Sequence, residues 1–206
     1  MIKTVKKIIF FLLVSPVFVW MFIHPKDLIS EWKRTPGYLK NNISSLISQD
    51  KLDKVFTERW NAFGPEREDL ASKIFYNKGT VLIDDFFSLT TYFSPRLYFQ
   101  SGDGSNFSPA KVEPIAIPLF AFWILGILTL IKRKKYSPFV VVFLFGVFAY
   151  LFGHRNFAFL FPIAAIYAWM GIYGIESLKK DSAKAAVYTL FCLYGIYLMG
   201  RIFLPI

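Results

Sequence analysis

Residues 114–175 read PIAIPLFAFWILGILTLI, KRKK, YSPFVVVFLFGVFAYLF, GHRN, FAFLFPIAAIYAWMGIYGI: apolar runs separated by short polar turns. A hydrocarbon core about 30 Å thick takes roughly 20 helical residues, and each run comes within reach of a crossing once tilt is allowed. A further run, 185–204, follows Lys179, Lys180 and Lys184, and an earlier one, 8–23, begins directly behind Lys3, Lys6 and Lys7. The 8–23 run shares a basic start and apolar stretch with secretory signals. Its exit, Phe22-Ile23-His24-Pro25-Lys26, has no small-x-small cleavage site, so it reads as an uncleaved anchor, kinked at Pro16.

The composition agrees. The chain has 206 residues, 55% of them hydrophobic and 19% aromatic, which excludes disorder. Only 18% are charged, against about 25% in ordinary soluble domains. A single cysteine, Cys192, excludes a disulfide framework, and two histidines leave little for a metal cluster. The expectation is therefore an all-α membrane protein of about five transmembrane helices, with a mainly helical extracytoplasmic segment between the first and second. Residues 1–23 form the N-terminal anchor, 24–113 the extracytoplasmic segment and 114–206 a four-helix transmembrane region.

The net charge of +10 first suggests nucleic acid, and its distribution answers that suggestion. Alternating five helices collects Lys3, Lys6, Lys7, the run Lys132-Arg133-Lys134-Lys135, and Lys179, Lys180 and Lys184 on one side, which the positive-inside rule makes cytoplasmic. The outer segment balances 12 basic against 12 acidic residues, leaving Arg155 and Arg201 as the outward excess. The charge records orientation, and nucleic-acid binding loses its support. The expected location is the cell membrane, with a cytoplasmic N-terminus and an extracytoplasmic C-terminus.

Within the outer segment, Leu39, Ile43, Leu46, Ile47, Leu52, Val55 and Phe56 recur at spacings that predict amphipathic helix over 39–60, with a break at Gly64-Pro65 and another helix over 66–76. Residues 80–99 turn aromatic and β-branched and end in the turn Ser101-Gly102-Asp103-Gly104. Trp20, Trp32, Tyr136, Tyr150 and Tyr173 fall near helix ends as an aromatic belt, and glycines 126, 146, 171, 174 and 195 permit close helix approach.

Three local patterns occur in order: His24-Pro25 followed by Lys33-Arg34; Tyr92-Phe93-Ser94-Pro95-Arg96-Leu97-Tyr98-Phe99-Gln100-Ser101-Gly102-Asp103-Gly104; and Gly153-His154-Arg155-Asn156-Phe157-Ala158-Phe159-Leu160-Phe161-Pro162. Together they resemble the C-terminal half of bacterial GT-C glycosyltransferases of the protein-mannosyltransferase and aminoarabinose-transferase type. The resemblance implies a polyprenyl-phosphate-sugar donor at the outer membrane face, with no other cofactor evident. That family carries its catalytic acids in an early outer loop, and the resemblance implies that this sequence begins after that region. The resemblance thus implies a truncated, split or non-autonomous form, and a partner membrane protein supplying the catalytic half.

Asp84-Asp85 is an acidic pair in the outer segment, suited to a general base or to a divalent ion near phosphate, and equally to solvated loop charge or local capping. Arg155, with His154 beside it, suits a lipid-linked phosphate because a guanidinium fork pairs two oxygens. The same arginine also reads as an interfacial anchor among ordinary headgroups. Arg96 is a further phosphate candidate or an internal salt-bridge partner. Asp103 is a candidate cation ligand or a turn residue, and no metal site is expected. Asn42-Ile43-Ser44 and Asn106-Phe107-Ser108 match the glycosylation pattern. The alternative to a glycosyltransferase-like protein is a non-catalytic membrane protein whose outer segment binds an envelope partner.

Overall fold

The structure, a computed structural model, describes residues 2–46, 48–64, 70, 77–109 and 111–204. Among them it is all helix, without strands. In chain order the helices are α1 (Ile2–Val14), α2 (Pro16–Ile23), α3 (Pro25–Trp32), α4 (Thr35–Leu46), α5 (Gln49–Phe63), α6 (Lys78–Thr90), α7 (Leu119–Lys132), α8 (Ser137–Phe152), α9 (Phe157–Glu176) and α10 (Asp181–Phe203). A 3-10 turn, Thr91–Phe93, and a π turn, Leu97–Ser101, lie between α6 and α7.

Among the described residues two helices, α9 and α10, are long and apolar enough to cross a membrane. A third span is added if α7 and α8, bent by 117° at the Lys132–Tyr136 turn, count as one. The expected run 114–131 starts its helix only at Leu119. Pro118 disfavours helical geometry at Ile117, and Pro114 has no N–H to give. The resulting α7 has 14 residues and α8 has 16, about 21 and 24 Å at the usual rise.

The freed stretch before α7 has a structural use. Pro16 interrupts the 8–23 run, ending α1 at Val14 and restarting the helix as α2. Two backbone groups at that break find partners in 114–116: Ala116 N–H donates to Val14 O at 2.8 Å, and Val17 N–H donates to Pro114 O at 3.2 Å. Ile115 N–H donates to Tyr98 O at 2.9 Å. Val14, Ser15, Pro16, Val17, Ile115 and Ala116 are all buried. Irregular backbone is tolerated at such depth only when protein satisfies it.

Helix α9 is the core. Phe157, Leu160, Ile163, Ala164 and Ala168 are fully buried on it, and α7 packs most extensively against it. Glycines allow that approach: a Cβ on Gly174 would lie 1.9 Å from Phe122 O, and one on Gly126 would lie 2.0 Å from Met170 O. By contrast α10 is peripheral, resting on α1 through Phe10–Tyr188 and Phe10–Phe191 ring contacts. Its Leu190, Leu193 and Ile196 are exposed, as are Leu125 and Leu128 of α7 and Phe143 and Leu144 of α8. Water would penalise this surface, whereas acyl chains cover it without cost.

The segment 24–113 departs from its expected helix boundaries. The predicted helix over 39–60 is two helices, α4 and α5, the second capped by Ser48, whose hydroxyl accepts from Lys51 N–H. The stretch 66–76 lies outside the described residues apart from Leu70. The aromatic stretch is helical through Thr90, started by an Asn77 capping box.

Candidate functional site

The turn between α8 and α9 is held from both sides by chain that precedes it by 50 residues or more. Helix α8 ends in open carbonyls, and Asn42 Nδ2 of α4 donates to Tyr150 O, Leu151 O and Gly153 O at 3.0, 3.2 and 2.9 Å. Helix α9 begins in open N–H groups, and its N-cap Asn156 makes no side-chain cap. Asp103 takes that role from the 24–113 segment: its Oδ2 accepts Phe157 N–H at 2.5 Å and the Ser105 hydroxyl at 2.6 Å, and its Oδ1 accepts Ser105 N–H at 3.0 Å. A carboxylate there also meets the positive end of the helix dipole.

Asn156 instead turns inward. Its Nδ2 donates to buried Glu31 Oε1 at 3.0 Å, the oxygen that also accepts from Tyr38 OH at 3.0 Å, while Arg34 Nη1 lies 3.6 Å from Oε2. Burial raises the Tyr38 phenol above its ordinary value, Glu31 adds to the rise, and Arg34 opposes it. The His154 ring lies 4.1 Å from that of Tyr38, and Trp32 Nε1 donates to Ala158 O at 2.7 Å.

Arg155 sits in the middle of this clamped turn, exposed, with no ion pair or hydrogen bond among the described residues. Its charge acts on Tyr92 and Tyr98, whose phenols burial raises and Arg155 pulls back. The second and third sequence patterns are therefore neighbours in space: Asp103 bonds Phe157, the Tyr98 and Phe157 rings meet edge-on at 5.7 Å, and Tyr167 OH donates to Phe93 O at 2.9 Å.

The other candidates fall elsewhere. Arg96 is exposed and lines a groove of about 360 Å³ with Pro95, Phe99, Ile117 and Phe120. Asp84 is exposed, whereas Asp85 is buried, because consecutive helix positions point about 100° apart. Asp85 Oδ1 pairs with Lys51 Nζ at 2.5 Å and accepts from Tyr150 OH at 3.1 Å, and its Oδ2 is buried without a hydrogen-bond partner among the described residues. The acidic pair does not converge on one ligand. Asp103 spends both oxygens on protein donors, and Asn42 spends its amide on α8. Among the described residues no three His, Cys, Asp or Glu side chains are grouped to hold a metal.

Sequence reasoning missed Glu31 and Asn156, the buried pair that seats the turn. Their separation of 125 residues leaves no local signal. Glu31 sits in a charged, amphipathic stretch where nothing distinguishes it from its exposed neighbours. Among the described residues, fold and site together define an all-helical protein with two to three helices suited to crossing a membrane. No protein-family model, curated protein or solved structure matches the chain.

Proposed function

We propose that this is an integral membrane protein that binds a polyprenyl-phosphate-linked sugar at the outer membrane face, forming part of a glycosyltransferase-like cavity. The carrying observation is Arg155: an exposed guanidinium on a turn fixed at both ends, with no anionic partner among the described residues. A fixed, weakly hydrated fork pairs two phosphate oxygens at little ordering cost. Its neighbour His154 adds a second exposed group on the same turn. The carboxylates of Glu31, Asp85, Asp103 and Glu113 already accept hydrogen bonds within the protein, so acid–base chemistry falls to a partner membrane protein.

The orientation proposed with it has five crossings, residues 24–113 and the Arg155 turn outside, and the basic turns inside. The bonds from Asn42 and Asp103 to the α8–α9 turn support a common side for the outer segment and Arg155. With Pro118 and Gly153 both on that side, α7 and α8 enter and return.

A purified chain in nanodiscs, titrated with a polyprenyl phosphate, tests the reading. Arg155→Ala is expected to weaken binding roughly 10-fold or more, the loss of a charge-assisted bond of about 1.5–3 kcal/mol, with Arg155→Lys intermediate. No binding by the wild type, equal binding of phosphatidylglycerol, or an unchanged Arg155→Ala affinity contradicts it. A second reading, docking of an envelope protein, is favoured by exposed Phe56 on α5 and Leu82, Ile83, Phe86 and Phe87 on α6. Under that reading Arg155→Ala is silent and charges placed at 83 and 86 abolish partner capture.

A further inference from the structure

A second cleft, separate from Arg155, opens where the first apolar run leaves the core. It has a volume of about 460 Å³ and is lined by Trp20, His24, Asp27, Ser105, Asn106 and Lys111, among others. That volume falls in the range of small-ligand sites, about 300–1,000 Å³.

Its aromatic wall is built in advance. Trp20 Nε1 donates to Asn106 O at 2.7 Å, fixing the indole against the loop across the cleft. The His24 ring lies 4.3 Å from that of Trp20, and its Nδ1 is 3.0 Å from Trp20 O. A carbonyl only accepts, so Nδ1 carries the proton and Nε2 remains available to a ligand. Lys111 is held in the left-handed region, φ 59°, with its carbonyl accepting from the Arg201 guanidinium.

The charges decide the class of ligand. Asp27 and Lys111 line the same cleft, both exposed, and neither side chain has an ion pair among the described residues. A simple anion matching Lys111 meets the Asp27 carboxylate, and a simple cation matching Asp27 meets the ammonium. A zwitterion satisfies both, and its ammonium end also gains from the Trp20 face. Trp20 stands one turn before the end of α2, and tryptophan near the end of an apolar run marks the headgroup level of a bilayer.

We infer that this cleft binds a zwitterionic phosphate–ammonium headgroup of the phosphoethanolamine kind, with Lys111 toward the phosphate and Asp27 toward the ammonium, whose N–H groups the bare Nε2 of His24 can also accept. The test is native mass spectrometry of the full chain in detergent with equal phosphatidylethanolamine and phosphatidylglycerol. The wild type is expected to retain the ethanolamine lipid at least 5-fold more. Asp27→Asn brings the ratio near one, Asp27→Glu keeps the preference, and Lys111→Ala lowers retention of both lipids. Circular dichroism of each variant separates misfolding from lost recognition. Displacement of the lipid by soluble glycerophosphoethanolamine supports the site and assigns its ligand to the headgroup alone; preference without displacement supports it and assigns the ligand to the bilayer lipid. Equal retention of the two lipids by the wild type, or an unaltered ratio in Asp27→Asn, overturns the proposal.

Discussion

Asp103 shows how one residue joins distant parts of the chain. It sits in a Ser-Gly-Asp-Gly turn, yet its carboxylate caps a helix that starts at Phe157. Asp103→Ala is expected to cost about 1–2 kcal/mol, read as a lowered thermal midpoint in detergent, and Asp103→Asn less, because an amide oxygen still accepts. Equal losses would mean that charge rather than the cap dominates. Tyr38 and Tyr92 set an alkaline limit. Their folded phenols lie above the ordinary 10.0, so the neutral form is favoured in the folded state. That contribution is fully present below about pH 10 and is lost as the pH rises through the folded values. Thermal midpoints should fall above pH 10, and Tyr38→Phe should flatten part of the fall; an unchanged slope counts against a Tyr38 phenol raised by burial.

At the scale of elements, the crossing of α7 and α9 depends on backbone meeting backbone. Gly174→Ala puts a methyl 1.9 Å from Phe122 O and is expected to destabilise by about 1–3 kcal/mol. Gly200→Ala on α10, with nothing within 4 Å, is expected to be neutral or to gain up to about 1 kcal/mol of helix propensity. Comparing the two melts separates close approach from propensity, and equal effects would refute the role given to the crossing. The cores of α8, α9 and α10 were legible because each is a long apolar run set off by short charged or polar turns. The split of the first run and the delayed start of α7 were not fully legible. Prolines mark both places, but the hydrogen bonds between 14–17 and 114–116 that satisfy them join chain about 100 residues apart. The same holds for the site: Arg155 and His154 were visible as polar residues at a helix start, whereas Glu31, Asn42 and Asp103 reach that turn only through tertiary bonds.

For the molecule as a whole, charge and packing bear on one account. The basic residues of the KRKK turn stand at one end of α7 and α8, and the Arg155 turn stands at the other end of α8, tied to α4 and to the Asp103 loop. Binding of lipid phosphate by Arg155 at the outer face requires that turn to share a side with 24–113 and to oppose the KRKK turn. Site-specific labelling reads this directly. In a Cys192→Ala background, Trp60→Cys, Lys134→Cys and Arg155→Cys are exposed one at a time to a membrane-impermeant maleimide on intact cells. The account predicts that positions 60 and 155 label from outside and 134 only after permeabilisation; labelling of 155 together with 134, or of 60 and 134 from the same side, contradicts it.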